Sequence, residues 1–130
     1  MIARVKNIHS SDSLNIIEFD FYNNIFKMMS LDLIENLQVG SKVELLVKPT
    51  NISISKKHIE DISLSNQALA KIISINSGEL LSNIILEINS TKLESIITKN
   101  SKERLNLKEN DEVNILIKAS DLSIYRILND

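Results

Sequence analysis

A lysine, a small residue and a hydroxyl residue follow one another at two places in the sequence, each time after an apolar stretch. The two tripeptides are Lys48-Pro49-Thr50 and Lys118-Ala119-Ser120. Ammonium, hydroxyl and backbone N–H groups all donate hydrogen bonds, whereas a fully ionised tetrahedral oxyanion has only acceptor oxygens. Such donors can bind a small anion where they converge at a sharp turn of the chain. The sequence therefore indicates two candidate anion-binding turns.

The structural alternative is that each lysine simply ends a buried strand in solvent, which is the usual role of such a residue. Repetition of the same tripeptide at equivalent positions favours a binding role. The argument is stronger for Lys118 than for Lys48, because Pro49 in the first tripeptide has no backbone N–H to donate, whereas Ala119 in the second has one.

Several other kinds of site are excluded by residue type. The chain has no cysteine, which removes thiol nucleophiles, disulfides and cysteine-ligated metals. It has two histidines, His9 and His58, and two glycines, so it lacks paired metal-binding histidines and a glycine-rich phosphate loop. We therefore predict no catalytic residues, no directly coordinated metal and no enzyme activity.

Composition is that of an ordinary globular protein, with 130 residues, 43% hydrophobic and 25% charged, and a net charge of −2. The start of the chain does not resemble a signal peptide, and no apolar run is long enough to span a membrane. We expect a cytoplasmic protein with no membrane partner.

Single-stranded nucleic acid is an alternative ligand, since small β-barrels often bind it through aromatic side chains. Phe19 and Phe21 could stack on bases, but Glu18 and Asp20 interleave with them and would repel phosphate. The chain also lacks a basic stripe. We therefore expect no direct nucleic-acid partner.

The sequence contains an internal repeat, which points to two copies of one small domain. The matched segments are residues 2–8 with 69–75, residues 37–48 with 107–118, and residues 52–54 with 122–124. We predict a first copy at residues 1–57 and a second at residues 65–130, joined by a polar linker.

Each copy shows the pattern of an antiparallel hairpin. Residues 17–21 and 84–88 alternate apolar and polar side chains, and turn residues and a second apolar segment follow each of them. A short helix is predicted next, with Asn100 as its N-cap in the second copy. The expected fold is all-β: two tandem small OB-like β-barrels, each with one short helix.

The second copy resembles the Mop (TOBE-type) family at both ends. Residues 105–122 match the closing signature of the family, which runs from a leucine-rich turn to isoleucine-lysine-alanine-serine. Residues 63–67, Ser-Leu-Ser-Asn-Gln, are similar to the opening signature, serine-alanine-arginine-asparagine-glutamine. The first copy is linked to the family through its similarity to the second.

The resemblance implies a homo-oligomeric protein that binds molybdate or tungstate, between subunits or repeats, without consuming it. The implied anion-binding residues are Ser63, Ser65, Asn66, Lys118, Ala119 and Ser120, with Lys48 and Thr50 forming a second class of site. Asn66 is expected to hold the turn, and Ser65 occupies the position of the family's arginine.

Two departures keep a second interpretation open. Ser65 replaces a fixed charge with a neutral hydroxyl, and Pro49 removes a backbone donor that Ala119 retains. The first hypothesis is a molybdate- or tungstate-binding protein for molybdenum storage or homeostasis. The alternative is a ligand-free TOBE-type assembly or sensor module associated with a molybdate regulator or transporter.

Overall fold

The computed structural model describes residues 1–129, and within them it shows ten β-strands, one α-helix and two 3₁₀ turns. The strands are β1 (Ile2–Ser11), β2 (Leu14–Phe21), β3 (Asn24–Ser30), β4 (Lys42–Leu46), β5 (Ser53–Ser55), β6 (Asn66–Ser77), β7 (Leu81–Ile88), β8 (Thr91–Thr98), β9 (Glu112–Ile117) and β10 (Ser123–Leu128). The helix α1 spans Lys99–Arg104, and the 3₁₀ turns span Pro49–Asn51 (the first turn) and Ala119–Asp121 (the second turn). The predicted all-β fold is confirmed.

The hairpins form where alternating side chains predict them. In β2, Ile17, Phe19 and Phe21 are buried while Glu18 faces outward. The two-residue connection Tyr22-Asn23 has φ values of 46° and 66°. Left-handed backbone at both positions is typical of a type I′ turn, whose twist suits a tight hairpin. The equivalent hairpin of β7 and β8 also turns over two residues.

The first compact unit consists of Met1–Val47 and the chain from Lys118 onward. Its five-stranded antiparallel sheet has the order β10-β4-β1-β2-β3. The second turn packs against the edge strand β3, so the sheet curls into a half-barrel. Phe19 and Phe26 are fully buried at the centre of this unit.

The second compact unit is the continuous segment Lys48–Ile117. Its sheet has the order β5-β9-β6-β7-β8, and the first turn packs against the edge strand β8. The fully buried hydroxyl of Ser95 donates a hydrogen bond of 2.6 Å to the backbone carbonyl of Ile52, directly after that turn. In both units an edge strand of the sheet therefore contacts a 3₁₀ turn.

The two copies exchange their closing segments. The first turn and β5 come from the first copy but belong to the second unit, whereas the second turn and β10 come from the second copy but belong to the first unit. In the sheets, β10 pairs with β4 and β5 pairs with β9. The compact units therefore differ from the sequence repeats 1–57 and 65–130, whose boundaries stay a prediction.

The helical segments differ between the copies. In the second copy α1 is capped by Thr98, whose hydroxyl oxygen accepts a hydrogen bond from the Ser101 N–H, so the predicted Asn100 cap is wrong. At the corresponding place the first copy forms turns and bends without an α-helix. There the Ser30 hydroxyl donates to the Asp32 carbonyl, and a hydroxyl used in this way closes a turn.

Among residues 1–129, the only α-helix has six residues and is far too short to cross a bilayer.

Candidate anion-binding site

The two lysine tripeptides have almost the same backbone conformation. Lys48 has φ −68° and ψ 138°, and Lys118 has φ −70° and ψ 141°. In each turn the carbonyl of the lysine accepts a hydrogen bond from the N–H three residues later, at 2.8 Å from Asn51 and 2.9 Å from Asp121. The sequence repeat therefore corresponds to a repeat in local geometry at the predicted site.

Each turn presents donors of the kind that an oxyanion needs. Both lysines are exposed, and so are the hydroxyl residues Thr50 and Ser120. The first hydrogen bond of a 3₁₀ turn uses the N–H three residues on, so the N–H groups before it have no partner within the turn. In the second turn these are the N–H groups of Ala119 and Ser120, whereas in the first turn Pro49 has none.

The side chains that follow the hydroxyl residues differ in charge. Asn51 is neutral, whereas Asp121 is a partly exposed carboxylate in the second turn. A carboxylate repels an oxyanion, and Asp121 is not among the residues that the sequence indicated. The first turn therefore lacks one donor, and the second turn carries one opposing charge.

The opening segment lies in the second unit. Ser63 and Ser65 are exposed and belong to no strand or helix. Asn66 is the first residue of β6, is 1% exposed, and pairs with Ile117 of β9. Its predicted role in holding the turn stays a prediction.

Strand register brings the first lysine tripeptide and the opening segment to the same end of the second unit. Ser53 at the start of β5 and Gln67 near the start of β6 both lie opposite Leu116, close to the C-terminal end of β9. The residues just before β5 and just before β6 therefore flank that end from both sides. They are Lys48 and Thr50 in the first case, and Ser63 and Ser65 in the second, with Asn66 opening β6 itself.

The other predicted residues fall in the first unit. Lys118, Ala119 and Ser120 follow β9 directly along the chain, and the second turn packs against β3. Among the strand pairs of residues 1–129, one connects them to the opening segment: Asn66 pairs with Ile117, and Lys118 is the next residue in the chain. Neither unit by itself contains all eight predicted residues.

Sequence reasoning missed a polar cluster beside the opening segment. Gln67, Asn114 and Ile59 are joined by side-chain hydrogen bonds in the second unit. The available signal was Asn114, an amide between Val113 and Ile115 in a run that is otherwise apolar from Val113 to Ile117. A polar residue in such a position needs a partner when it is buried.

The part of the chain that the structure describes, residues 1–129, contains no group of three histidine, cysteine, aspartate or glutamate residues that could hold a metal ion.

Comparison with known proteins gives matches to molybdenum-related binding proteins. The TOBE domain family model matches residues 62–124. Molybdenum-pterin-binding protein 1 of Clostridium pasteurianum is 36% identical over 64 residues, which is 48% of this chain and 94% of that protein. Molybdenum-pterin-binding protein 2 of the same organism is 34% identical over the same shares. These names describe binding proteins, in agreement with the prediction that the chain is not an enzyme.

Two further matches extend over more of the chain. The molybdate/tungstate import ATP-binding protein WtpC of Pyrococcus abyssi is 28% identical over 85% of this chain, which spans only 32% of that protein. A crystal structure of ModG, described as a cytoplasmic molybdate-binding protein with molybdate bound, matches 95% of this chain and 92% of that one. The TM-score is 0.87 at 18% identity, so this likeness shows a shared fold.

The signatures at both ends of the second copy fall within the match to the TOBE domain. Because the Clostridium relative is more than 30% identical and is matched over almost its whole length, the chain belongs to the Mop/TOBE family.

Proposed function

We propose that this protein binds molybdate or tungstate reversibly in the cytoplasm and serves molybdenum storage or homeostasis. The observation that carries the proposal is the pair of turns with matching backbone, each presenting an exposed lysine and an exposed hydroxyl. The names of the Clostridium relatives and of ModG support the choice of oxyanion.

The chemistry of binding is hydrogen-bond donation to a dianion. The ammonium groups of Lys48 and Lys118 supply charge, and the hydroxyls of Thr50 and Ser120 supply directed donors. Backbone N–H groups at the second turn add donors whose positions are fixed by the fold. No proton needs to move, so the anion can leave unchanged.

Calorimetric titration of the whole protein with molybdate, tungstate and sulfate tests the proposal. We expect binding of the two metal oxyanions at micromolar protein, with Lys118→Ala and Lys48→Ala each weakening it at least about tenfold through loss of a charged donor. The control is Lys92→Ala, which removes an exposed lysine of β8 that belongs to neither turn. Absence of heat with both metal oxyanions would overturn the proposal.

A second candidate function is a ligand-free assembly or sensor module associated with a molybdate regulator or transporter. Three residues support it: Ser65 in place of arginine, Pro49 without a donor, and Asp121 with an opposing charge. The match to WtpC, an import protein of which this chain spans only a third, also supports a role as a module. If Lys118→Ala abolishes anion binding and leaves the oligomeric state unchanged, this alternative fails.

We also infer a homo-oligomer, since each copy is small and a domain of about 60 residues buries a low fraction of its surface. Sedimentation of the purified protein, with and without molybdate, measures this directly. A single monomeric species under both conditions would contradict the inference.

A further inference from the structure

The side chain of Gln67 joins the segment before β6 to the sheet of the second unit. Its amide nitrogen donates to the Ile59 carbonyl at 2.6 Å, and its amide oxygen accepts from the Ile59 N–H at 3.1 Å. The same oxygen also accepts a hydrogen bond from the side-chain amide of Asn114, which is the third bond of the Gln67 side chain. We call these three residues the Gln67 clip.

Asn114 anchors the clip from the sheet side. It is 2% exposed and lies in β9, where Leu69 pairs with it on one side and Ser55 on the other. Burial of an amide is unfavourable unless its polar atoms are bonded. The bond to Gln67 therefore favours the arrangement in which Gln67 lies over the strand and holds Ile59.

The clip constrains the segment that carries two of the proposed anion ligands. Residues 56–65 form no strand or helix, and Ser63 and Ser65 within them are exposed. The clip fixes this segment at Ile59, and strand pairing fixes it at Asn66. Ser63 and Ser65 thus lie on a short loop that is held at both ends.

We propose that Gln67 is a positioning residue for oxyanion binding, which orders residues 60–65 so that their hydroxyls are in place before the anion arrives. This inference rests on the proposed function and on the participation of the opening segment in the site. Its physical basis is preorganisation: a loop that is already ordered does not lose its conformational entropy at the moment of binding.

The principal variant is Gln67→Met, which keeps the length of the side chain and removes all three hydrogen bonds. The matched control is Gln38→Met, since Gln38 is the other glutamine of the chain and is exposed in the first unit. Each protein is titrated with molybdate by calorimetry, and exchange of the Ile59 amide hydrogen is followed with and without molybdate.

We expect Gln67→Met to weaken molybdate binding about tenfold or more, with a more unfavourable binding entropy, and Gln38→Met to leave it unchanged. The Ile59 amide should exchange slowly in the wild-type protein in either condition. In the Gln67→Met protein it should exchange fast until molybdate is added, because binding must then order the loop. A role confined to general stability would speed exchange throughout the second unit, including the Ile115 amide in β9, whereas loss of the clip should speed exchange at Ile59 and leave Ile115 slow.

Ile59→Pro provides a second test if Gln67→Met does not fold, because it removes the Ile59 N–H at a position outside both sheets, together with the half-buried isoleucine side chain. It should weaken binding in the same direction. Molybdate affinity equal to wild type in a folded variant would overturn the inference. If the wild-type protein itself binds no oxyanion, the proposed function fails instead, and the exchange of Ile59 still shows whether the clip orders the loop.

Discussion

The two lysine turns have the same backbone but different side chains, so a difference in their affinity for anions must come from individual residues. In the repeat, Pro49 corresponds to Ala119, Thr50 to Ser120, and Asn51 to Asp121. The first difference removes a donor from the first turn, and the last adds a negative charge to the second turn. The missing donor weakens anion binding at the first turn, and the negative charge weakens it at the second turn. Substitutions can therefore separate the two effects.

We predict that Asp121→Asn tightens molybdate binding about two- to tenfold, or roughly 0.4–1.4 kcal/mol, because it removes a like charge from a partly solvated site. The measurement is calorimetric titration at fixed ionic strength. Asp32→Asn is the control, since it changes the net charge equally at an exposed position of the β3–β4 connection. Equal tightening in both variants would mean that net charge alone is responsible.

At the residue scale the sequence predicted the lysine and hydroxyl donors because their types and spacing repeat. It did not predict the Gln67 clip, because the bond from Gln67 to Ile59 depends on the path of a segment without regular structure. Asn114 indicated that a polar partner was needed, but the identity of that partner follows only from the register of β6 on β9.

At the scale of elements, a polar ladder crosses the outer face of β1, β2 and β3. The Asn7 side-chain amide donates to the Glu18 carboxylate at 2.9 Å, and the Lys27 ammonium lies 3.7 Å from the same carboxylate. The hydrogen bond from Asn7, followed by the attraction of Lys27, lowers the pKa of Glu18 below its ordinary value of 4.5, although partial burial opposes this. The ionised form of Glu18 therefore stabilises the folded first unit.

We predict that Glu18→Gln lowers the free energy of unfolding at pH 7 and that this deficit shrinks in acid. A carboxylate whose folded pKa is lowered contributes its full stability above the unfolded value and loses it as pH falls through the folded pKa. The difference between wild type and Glu18→Gln should therefore decrease below about pH 4.5, as measured by urea unfolding at a series of pH values.

Asn7→Ala supplies the companion test, because it removes the main cause of the lowered pKa while leaving Glu18 in place. It should reduce the same pH dependence. If the Glu18→Gln deficit stays constant from pH 7 into the acid range, the ladder does not favour the charged form.

The elements themselves were predictable to different degrees. Hairpins were found because alternation and turn residues are local signals, and the observed β2–β3 and β7–β8 pairs agree with them. The α-helix of the second copy was found but its cap was not, since Thr98 caps from the end of a strand. At the equivalent strand end of the first copy, the hydroxyl of Ser30 donates to the Asp32 carbonyl within a turn, and no α-helix follows.

At the scale of the whole molecule, exchange of the closing segments could not be read from the sequence. The segments that begin at Lys48 and at Lys118 are similar, and each fits the end of a similar strand. Similarity shows that the two are equivalent, but it cannot show which unit each one joins. That assignment depends on the three-dimensional path of the chain after Val47 and after Ile117.

Exchange makes the two units unequal in connectivity. The second unit is one continuous segment, whereas the first unit consists of two parts that are joined through the second. When the second unit unfolds, the two parts of the first unit are joined only by a disordered loop of about 70 residues. Bringing the ends of that loop together costs about 4 kcal/mol of entropy. When the first unit unfolds, the second unit keeps all its strands.

We therefore predict that the first unit unfolds when the second unit unfolds, whereas the second unit stays folded when the first unit unfolds. Both tyrosines, Tyr22 and Tyr125, lie in the first unit, so tyrosine fluorescence reports on that unit while circular dichroism reports on both. Ile115→Ala in the fully buried core of β9 should lower the transition seen by both probes. Phe19→Ala in the core of the first unit should lower the fluorescence transition and leave a separate second-unit transition in circular dichroism. If Ile115→Ala leaves the fluorescence transition in place, the first unit does not depend on the second for its closure.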